Sequence, residues 1–142
     1  MVANIDNIAS TFMTFNEAYF GGVLPWPLFG VLHSYRTCGV FEYRARTWDG
    51  DLVDPIIKVT DYYDMDEEVF NGILCHEMIH YYLMYLHFKD RSMHGKWFKK
   101  KVKQLNEKYG LNIPTFIDIT DLKRRKGAPL LGYWLRHFYI MP

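Results

Sequence analysis

The chain has 142 residues, of which 49% are hydrophobic and 23% are charged. This balance excludes collagen-like, coiled-coil and largely disordered proteins, and the length fits one compact domain over residues 1–142. Two cysteines without CxxC spacing, Cys38 and Cys75, exclude a disulfide framework and a cysteine-based zinc module. Residues 1–16 lack a signal-peptide pattern and no stretch approaches ~18 apolar residues, so we expect a cytoplasmic protein without a membrane partner.

The first half of the chain predicts one helix followed by strands. Hydrophobic residues recur at helical spacing from Ile8 to Tyr19, which predicts an amphipathic helix over residues 4–20 that ends at Gly21. The strand-like segments are residues 28–33, 39–46 and 52–60, the last preceded by the hairpin signal Asp49-Gly50. Together these segments predict a small antiparallel sheet.

The second half predicts two longer helices. Asp64 and Glu67 have capping-box spacing, so we expect a helix from near Met65 to about His87. Ser92 is the expected cap of a further helix that runs through Tyr109 and is closed by Gly110. Its apolar face consists of Phe98, Val102, Leu105 and Tyr109. An aromatic segment at residues 132–141 predicts a late strand, and the whole pattern predicts the α+β class.

His76-Glu77-Met78-Ile79-His80 is an HExxH sequence inside the strongest predicted helix. The two histidines are four residues apart, so their imidazoles lie one turn apart on the same helix face and can chelate a zinc ion. With this composition the string arises by chance in about one such chain in a hundred. We therefore predict a metal site here.

A catalytic zinc site takes three protein ligands and leaves one position for water, so a third ligand is needed. His87 lies on the same stripe as His80 but ~10.5 Å further along the helix axis, too far to reach the same ion. His94 is close enough in sequence to return to the metal, because the intervening residues span up to ~20 Å when extended. Glu107 is a rival ligand, and the more ordinary expectation for it is an exposed helix surface. The remaining histidines are His33 and His137, for which surface or strand positions are expected.

These motifs resemble those of the SprT-like zinc metalloprotease family over about residues 12–110. The matching residues are Asn16, Tyr19-Phe20, Leu24-Pro25, Gly39, the run from His76 to Leu83, His94-Gly95, Phe98 and Leu105-Asn106. The resemblance implies a zincin-like fold in which the sheet packs with the first helix, the HExxH helix and a following basic helix. It also implies Zn²⁺ ligands His76, His80 and His94, with Glu77 as the catalytic residue.

The predicted reaction is hydrolysis of a peptide bond by a zinc-bound water, with Glu77 as general base. The first hypothesis is an endopeptidase that acts on protein or peptide substrates, including proteins on DNA or crosslinked to it. The second is a non-catalytic zinc-containing domain that binds nucleic acid or protein, and the third is a peptidase without any link to DNA. Glu77 favours catalysis, because a purely structural site gains little from a carboxylate beside an open metal position.

The net charge of +1 hides an uneven distribution of charge along the chain. Residues 1–70 hold four basic and eleven acidic residues, whereas residues 71–142 hold thirteen and five. Two basic clusters carry the excess, the helix residues Lys96, Lys99, Lys100 and Lys103 and the expected loop Lys123, Arg124, Arg125 and Lys126. They predict DNA binding through phosphate contacts, and with it a nucleoid-associated location.

Overall fold

The structure, a computed structural model, describes residues 1–129 of the chain. Within these residues three helices pack with a small mixed sheet, which confirms the predicted α+β class. The helices are α1 (Ile5–Tyr19), α2 (Glu67–Tyr85) and α3 (Lys96–Tyr109). The strands are β1 (Leu28–Leu32), β2 (Gly39–Glu42), β3 (Ala45–Arg46), β4 (Leu52–Val53), β5 (Ile56–Thr60), β6 (Tyr63–Asp64) and β7 (Lys123–Arg124).

Helix α1 covers nearly the residues that its periodicity predicts. Asn4 and Asn7 form a reciprocal capping box at its start, in which the Asn7 backbone N–H donates to the Asn4 side chain at 2.8 Å. Ile8 and Phe12 point into the core and are fully buried. The chain leaves the helix at Gly21, whose φ of 63° lies in the left-handed region that glycine adopts without strain.

The main sheet has the strand order β1-β5-β2. Strand β2 runs antiparallel to β5, as predicted, but β1 runs parallel to it. The expectation of a wholly antiparallel sheet is therefore wrong for β1. Ile57, Val59 and Thr60 make β5 the most buried of the three strands, as suits a strand with a neighbour on either side.

Residues 39–46, predicted as one strand, are divided between two partners. Strand β2 pairs with β5, whereas β3 pairs with β4 in a separate hairpin. The turn of that hairpin contains Asp49-Gly50, as the sequence predicts, and Gly50 has a φ of 95°. The hairpin lies against the end of α2, since a Cβ atom on Gly50 would overlap the His87 ring.

Helix α2 is the central element of the molecule and contacts α1, α3, β2 and β5. Every residue from Gly72 to Tyr81 is buried. The predicted capping box is wrong, because Asp64 lies in β6 and binds the Met1 ammonium at 2.7 Å rather than the helix. The N-cap is Asp66, which makes no side-chain hydrogen bond to the helix.

Helix α3 begins later than predicted and is capped by a different residue. Gly95 is the N-cap, and the Asp90 carboxylate accepts hydrogen bonds from the backbone N–H groups of Trp97 (2.9 Å) and Phe98 (3.1 Å). These are the two groups that an N-cap side chain ordinarily serves. The predicted cap, Ser92, makes no such bond. The buried face is Phe98, Val102 and Leu105, as predicted, but Tyr109, predicted to share it, is exposed at the end of the helix. The helix ends at Gly110 in the left-handed conformation.

Two predictions concern the residues that follow α3, the loop that contains residues 123–126 and the strand at residues 132–141. Residues 123 and 124 form strand β7, which pairs antiparallel with β6, and not a loop. The predicted strand at residues 132–141 lies outside the described residues. Among residues 1–129, no helix is long and apolar enough to cross a membrane.

We expect Asp90→Ala to lower the free energy of unfolding by about 1 kcal/mol, the typical cost of losing a helix cap. The reason is that two backbone N–H groups at the start of α3 lose their acceptor. Urea unfolding of the variant and of the parent chain measures the difference. Ser92→Ala is the matched control and should leave the midpoint unchanged; equal effects of the two substitutions would contradict the assignment.

Candidate metal centre

Helix α2 and the segment before α3 bring three histidines together. His76 and His80 lie one turn apart on α2 and are 3% and 9% exposed, and His94 precedes the N-cap of α3. One ring nitrogen of each lies within 4.8 Å of the other two, and the Nε2 atoms of His76 and His94 are 3.1 Å apart. No other cluster of this kind occurs in residues 1–129.

The spacing of these nitrogens fits a zinc ion. Tetrahedral zinc with bonds of about 2.0–2.1 Å separates its nitrogen ligands by about 3.4 Å. The His76 and His94 Nε2 atoms are 3.1 Å apart, and all three nitrogens lie within 4.8 Å of one another. Three nitrogen donors leave the fourth position open, which is the arrangement of hydrolytic zinc sites rather than of closed structural ones.

A backbone carbonyl fixes the orientation of the His76 ring. The His76 Nδ1–H donates to the Pro114 carbonyl oxygen at 2.7 Å. The proton on Nδ1 leaves the lone pair on Nε2, which is the atom that faces the other histidines. Sequence reasoning missed Pro114, because a carbonyl acceptor has no side-chain signal.

Phe98 forms the apolar base of the cluster. Its ring stacks on His80 with centroids 4.4 Å apart, and it meets His76 and His94 edge-on at 4.8 and 5.0 Å. Burial lowers the pKa of His76 to about 4 and, with repulsion from the neighbouring histidines, that of His80 to about 3. Burial also lowers the pKa of His94. All three imidazoles are therefore neutral near pH 7, which is the form that binds a metal.

Glu77 is buried between α2 and the start of β2. Its side chain is packed against Gly39 so closely that a Cβ atom there would lie 2.7 Å from the Glu77 Oε2 atom. The residue is 4% exposed, and burial raises the pKa of its carboxyl to about 8. Strand β2 therefore leaves room for Glu77 only because residue 39 is glycine.

The other candidate ligands lie away from the three histidines. Glu107 is exposed on α3, 4.0 Å from the Lys103 ammonium, and His33 is exposed and bonded to Asp61. His87 lies beyond the end of α2, against the hairpin turn. Cys75 is buried, which raises the pKa of its thiol to about 12 and disfavours the thiolate that a metal requires. His137 lies outside the described residues.

The residues of the two predicted basic clusters divide into exposed lysines and partly buried arginines. Lys96, Lys99, Lys100 and Lys103 are exposed on α3, as are Lys123 and Lys126 further along the chain. Arg124 donates to the Ala128 carbonyl at 2.6 Å, and Arg125 lies 3.8 Å from the Asp61 carboxylate. The two arginines therefore make contacts within the fold, which the sequence did not indicate.

A cleft of about 860 Å³ opens beside the histidines. His80 forms part of its wall, together with residues of β2, the β3–β4 hairpin and the segment that joins α2 to α3. A cavity of this size accommodates several side chains of a ligand. His80 can therefore be reached from outside through this cleft.

Comparison with known proteins agrees with this geometry. The family model described as the SprT-like family matches residues 8–117. The chain is 29% identical over 119 residues to the DNA-dependent metalloprotease SPRTN of Xenopus tropicalis, a match that covers 81% of this chain and 26% of the relative. The chain thus spans about a quarter of the length of that relative. Because the family model covers well over half of its residues, the protein belongs to the SprT-like family.

Proposed function

We propose that the protein is a zinc-dependent endopeptidase in which His76, His80 and His94 hold the metal. The main support for the proposal is that three neutral imidazoles from two separate segments lie within 4.8 Å of one another, beside an open cleft. The relative's name, a DNA-dependent metalloprotease, supports the same class of reaction.

Glu77 is the proposed general base. A bound zinc ion would lower the pKa of a coordinated water to ~7 and polarise the scissile carbonyl. Glu77 accepts the proton of the attacking water and returns it to the leaving amine. Burial favours the protonated carboxyl, whereas a nearby positive charge favours the carboxylate. The two effects oppose each other, which suits a group that both takes up and releases a proton.

The free edge of β2 supports a polypeptide substrate. Strand β2 pairs with β5 on one side and, in the part of the chain that is described, with no strand on the other. Such an edge presents unpaired N–H and C=O groups to which an extended peptide can add. The strand starts at Gly39, in contact with Glu77, and its Phe41 lines the cleft. A peptide bound along this edge would therefore lie next to Glu77 and the cleft.

We expect His94→Ala to lose most of its bound zinc, because two remaining histidines do not complete the site. Elemental analysis of the purified variant measures the metal content. His33→Ala is the control, since His33 is exposed and distant from the cluster, and it should keep one zinc per chain. Normal zinc in His94→Ala, or a loss in Glu107→Ala instead, would move the third ligand elsewhere.

Glu77→Gln should keep zinc and the fold but cleave an unfolded protein substrate ~10²–10⁴-fold more slowly, the usual loss when a general base is removed.

Gly39→Ala should also reduce cleavage while retaining zinc, because the added methyl group displaces the Glu77 carboxylate. Cys75→Ala is the matched control, as it changes the neighbour of His76 without touching the cluster.

Zinc content and cleavage are measured on the same preparations, so that loss of metal is not mistaken for loss of the base. Near-normal cleavage by Glu77→Gln would rule out its role as base. A zinc-loaded parent chain that cleaves nothing would favour the alternative, a non-catalytic zinc-containing domain that binds nucleic acid or protein.

DNA is the second proposed partner, bound through the exposed lysines of α3. Lys96, Lys99, Lys100 and Lys103 lie on the side of α3 opposite its buried face, and Glu107 is the only acidic residue of the helix. Lys101 is not part of this surface, since its ammonium lies 4.4 Å from the centre of the Tyr82 ring. Phosphate contacts from such a surface would associate the protein with DNA in the cell.

Lys123 and Lys126 are exposed and are further candidates for phosphate contacts, whereas Arg124 and Arg125 contribute less because they are held within the fold. Trp97 is half-buried against Phe88, with ring centroids 5.0 Å apart. The Lys96 and Lys100 ammoniums lie 5.3 and 5.4 Å from the centre of the Trp97 ring. This packing favours a structural role for the tryptophan over stacking on a base.

DNA affinity should be weakly dependent on sequence and strongly dependent on salt. If about four phosphates are neutralised, a fourfold rise in salt lowers affinity roughly 150-fold. Lys99→Glu/Lys100→Glu/Lys103→Glu should weaken binding and flatten this dependence, whereas the matched triple substitution to Arg should retain both. Titration of a labelled duplex at several salt concentrations is the measurement. Unchanged affinity in the Glu variant would show that these lysines serve only solubility.

A further inference from the structure

The cleft beside His80 is asymmetric in its chemistry. Its apolar lining consists of Phe41 on β2, Leu83 and Met84 on α2, and the more exposed Phe88 and Met93 on the segment after α2. An apolar wall of this kind gains most from a bulky apolar ligand group that displaces water.

The rim of the same cleft is basic and unneutralised. Arg46, Lys89 and Arg91 line it, and none of them forms an ion pair with a carboxylate of residues 1–129. The single acidic residue of the lining is Asp90, and both of its carboxylate oxygens accept hydrogen bonds from the start of α3. The positive charge at the rim therefore has no carboxylate partner within the described chain.

Arg46 is held rigidly in place at this rim. Its guanidinium donates to the carbonyls of Gly50 (2.9 Å) and Met84 (3.1 Å) and lies 5.4 Å from the centre of the Tyr43 ring. Two of its five N–H donors are thus used by backbone, and the others remain for a ligand. Arg44, two residues earlier, is instead paired with Asp54 at 2.9 Å and does not line the cleft.

We infer that this cleft selects peptide segments in which a bulky apolar residue is followed or preceded by an acidic one. The apolar side chain packs against the apolar lining and the carboxylate meets Arg46 or Arg91 at the rim. This inference rests on the proposed peptidase function, whose site shares His80 with the cleft. A peptide fits better than a nucleic acid, because a phosphate backbone offers nothing to bury against the apolar wall.

Binding to zinc-loaded Glu77→Gln tests the inference without cleavage. The probes are fluorescein-labelled Gly/Ser peptides of equal length that carry Phe-Glu, Phe-Lys or Ala-Glu at the centre, measured by anisotropy. Phe-Glu should bind about tenfold more tightly than Phe-Lys, as expected for one charge-assisted hydrogen bond. It should also bind more tightly than Ala-Glu. Equal affinities, or no binding of any peptide, would overturn the inference.

Substitutions at the rim identify the residues responsible. Arg46→Gln and Arg91→Gln should each reduce the preference for Phe-Glu, whereas Arg44→Gln should leave it intact. Arg91→Glu, which breaks no backbone contact of the hairpin, should invert the preference towards Phe-Lys. Variants that weaken binding of a DNA oligonucleotide while leaving the peptide preference unchanged would assign the rim to nucleic acid and overturn the inference.

The two proposals fail in different ways. A parent chain that shows the Phe-Glu preference in binding but cleaves none of the peptides would contradict the peptidase function and leave the selective cleft standing. A chain that cleaves all three peptides equally would contradict the selective cleft alone.

Discussion

Phe98 lies against all three imidazoles of the candidate site, and this packing holds α3 against α2. Because His94 is four residues before Phe98, burying the phenyl ring carries His94 towards His76 and His80. Asp90 reinforces the same junction by capping the first turn of α3 from the preceding segment. The arrangement of the three histidines therefore depends on a hydrophobic contact and a helix cap.

Burial of the site sets its protonation state as well as its shape. Water is excluded by Phe98 on one side and by the dense packing around α2 on the other, which lowers the pKa values of the histidines. The same exclusion raises the pKa of Glu77. One physical cause thus lowers the pKa values of the histidines and raises that of the Glu77 carboxyl. Gly39 completes the site by leaving space for that carboxyl group.

Local patterns predicted the helices well, because amphipathic spacing depends on residues close in sequence. The buried face of α3 and the shared face of His76 and His80 are examples. Sequence also reduced the candidates for a third ligand to a few residues, since distance along the helix axis excludes His87. The order and direction of the strands were not predictable in this way, because they depend on which strand is buried between two others. The acceptor at Pro114 and the cap at Asp90 are contacts across loops, for which residue spacing gives no signal.

The central claim is that three histidine nitrogens, and no sulfur or second carboxylate, hold the metal. X-ray absorption spectroscopy at the zinc edge of the purified, metal-loaded chain tests it directly. The account predicts three imidazole nitrogens at about 2.0–2.1 Å together with one oxygen from water. A sulfur neighbour at about 2.3 Å would contradict the claim and would implicate a cysteine such as Cys75. Fewer than three imidazole nitrogens would also contradict it.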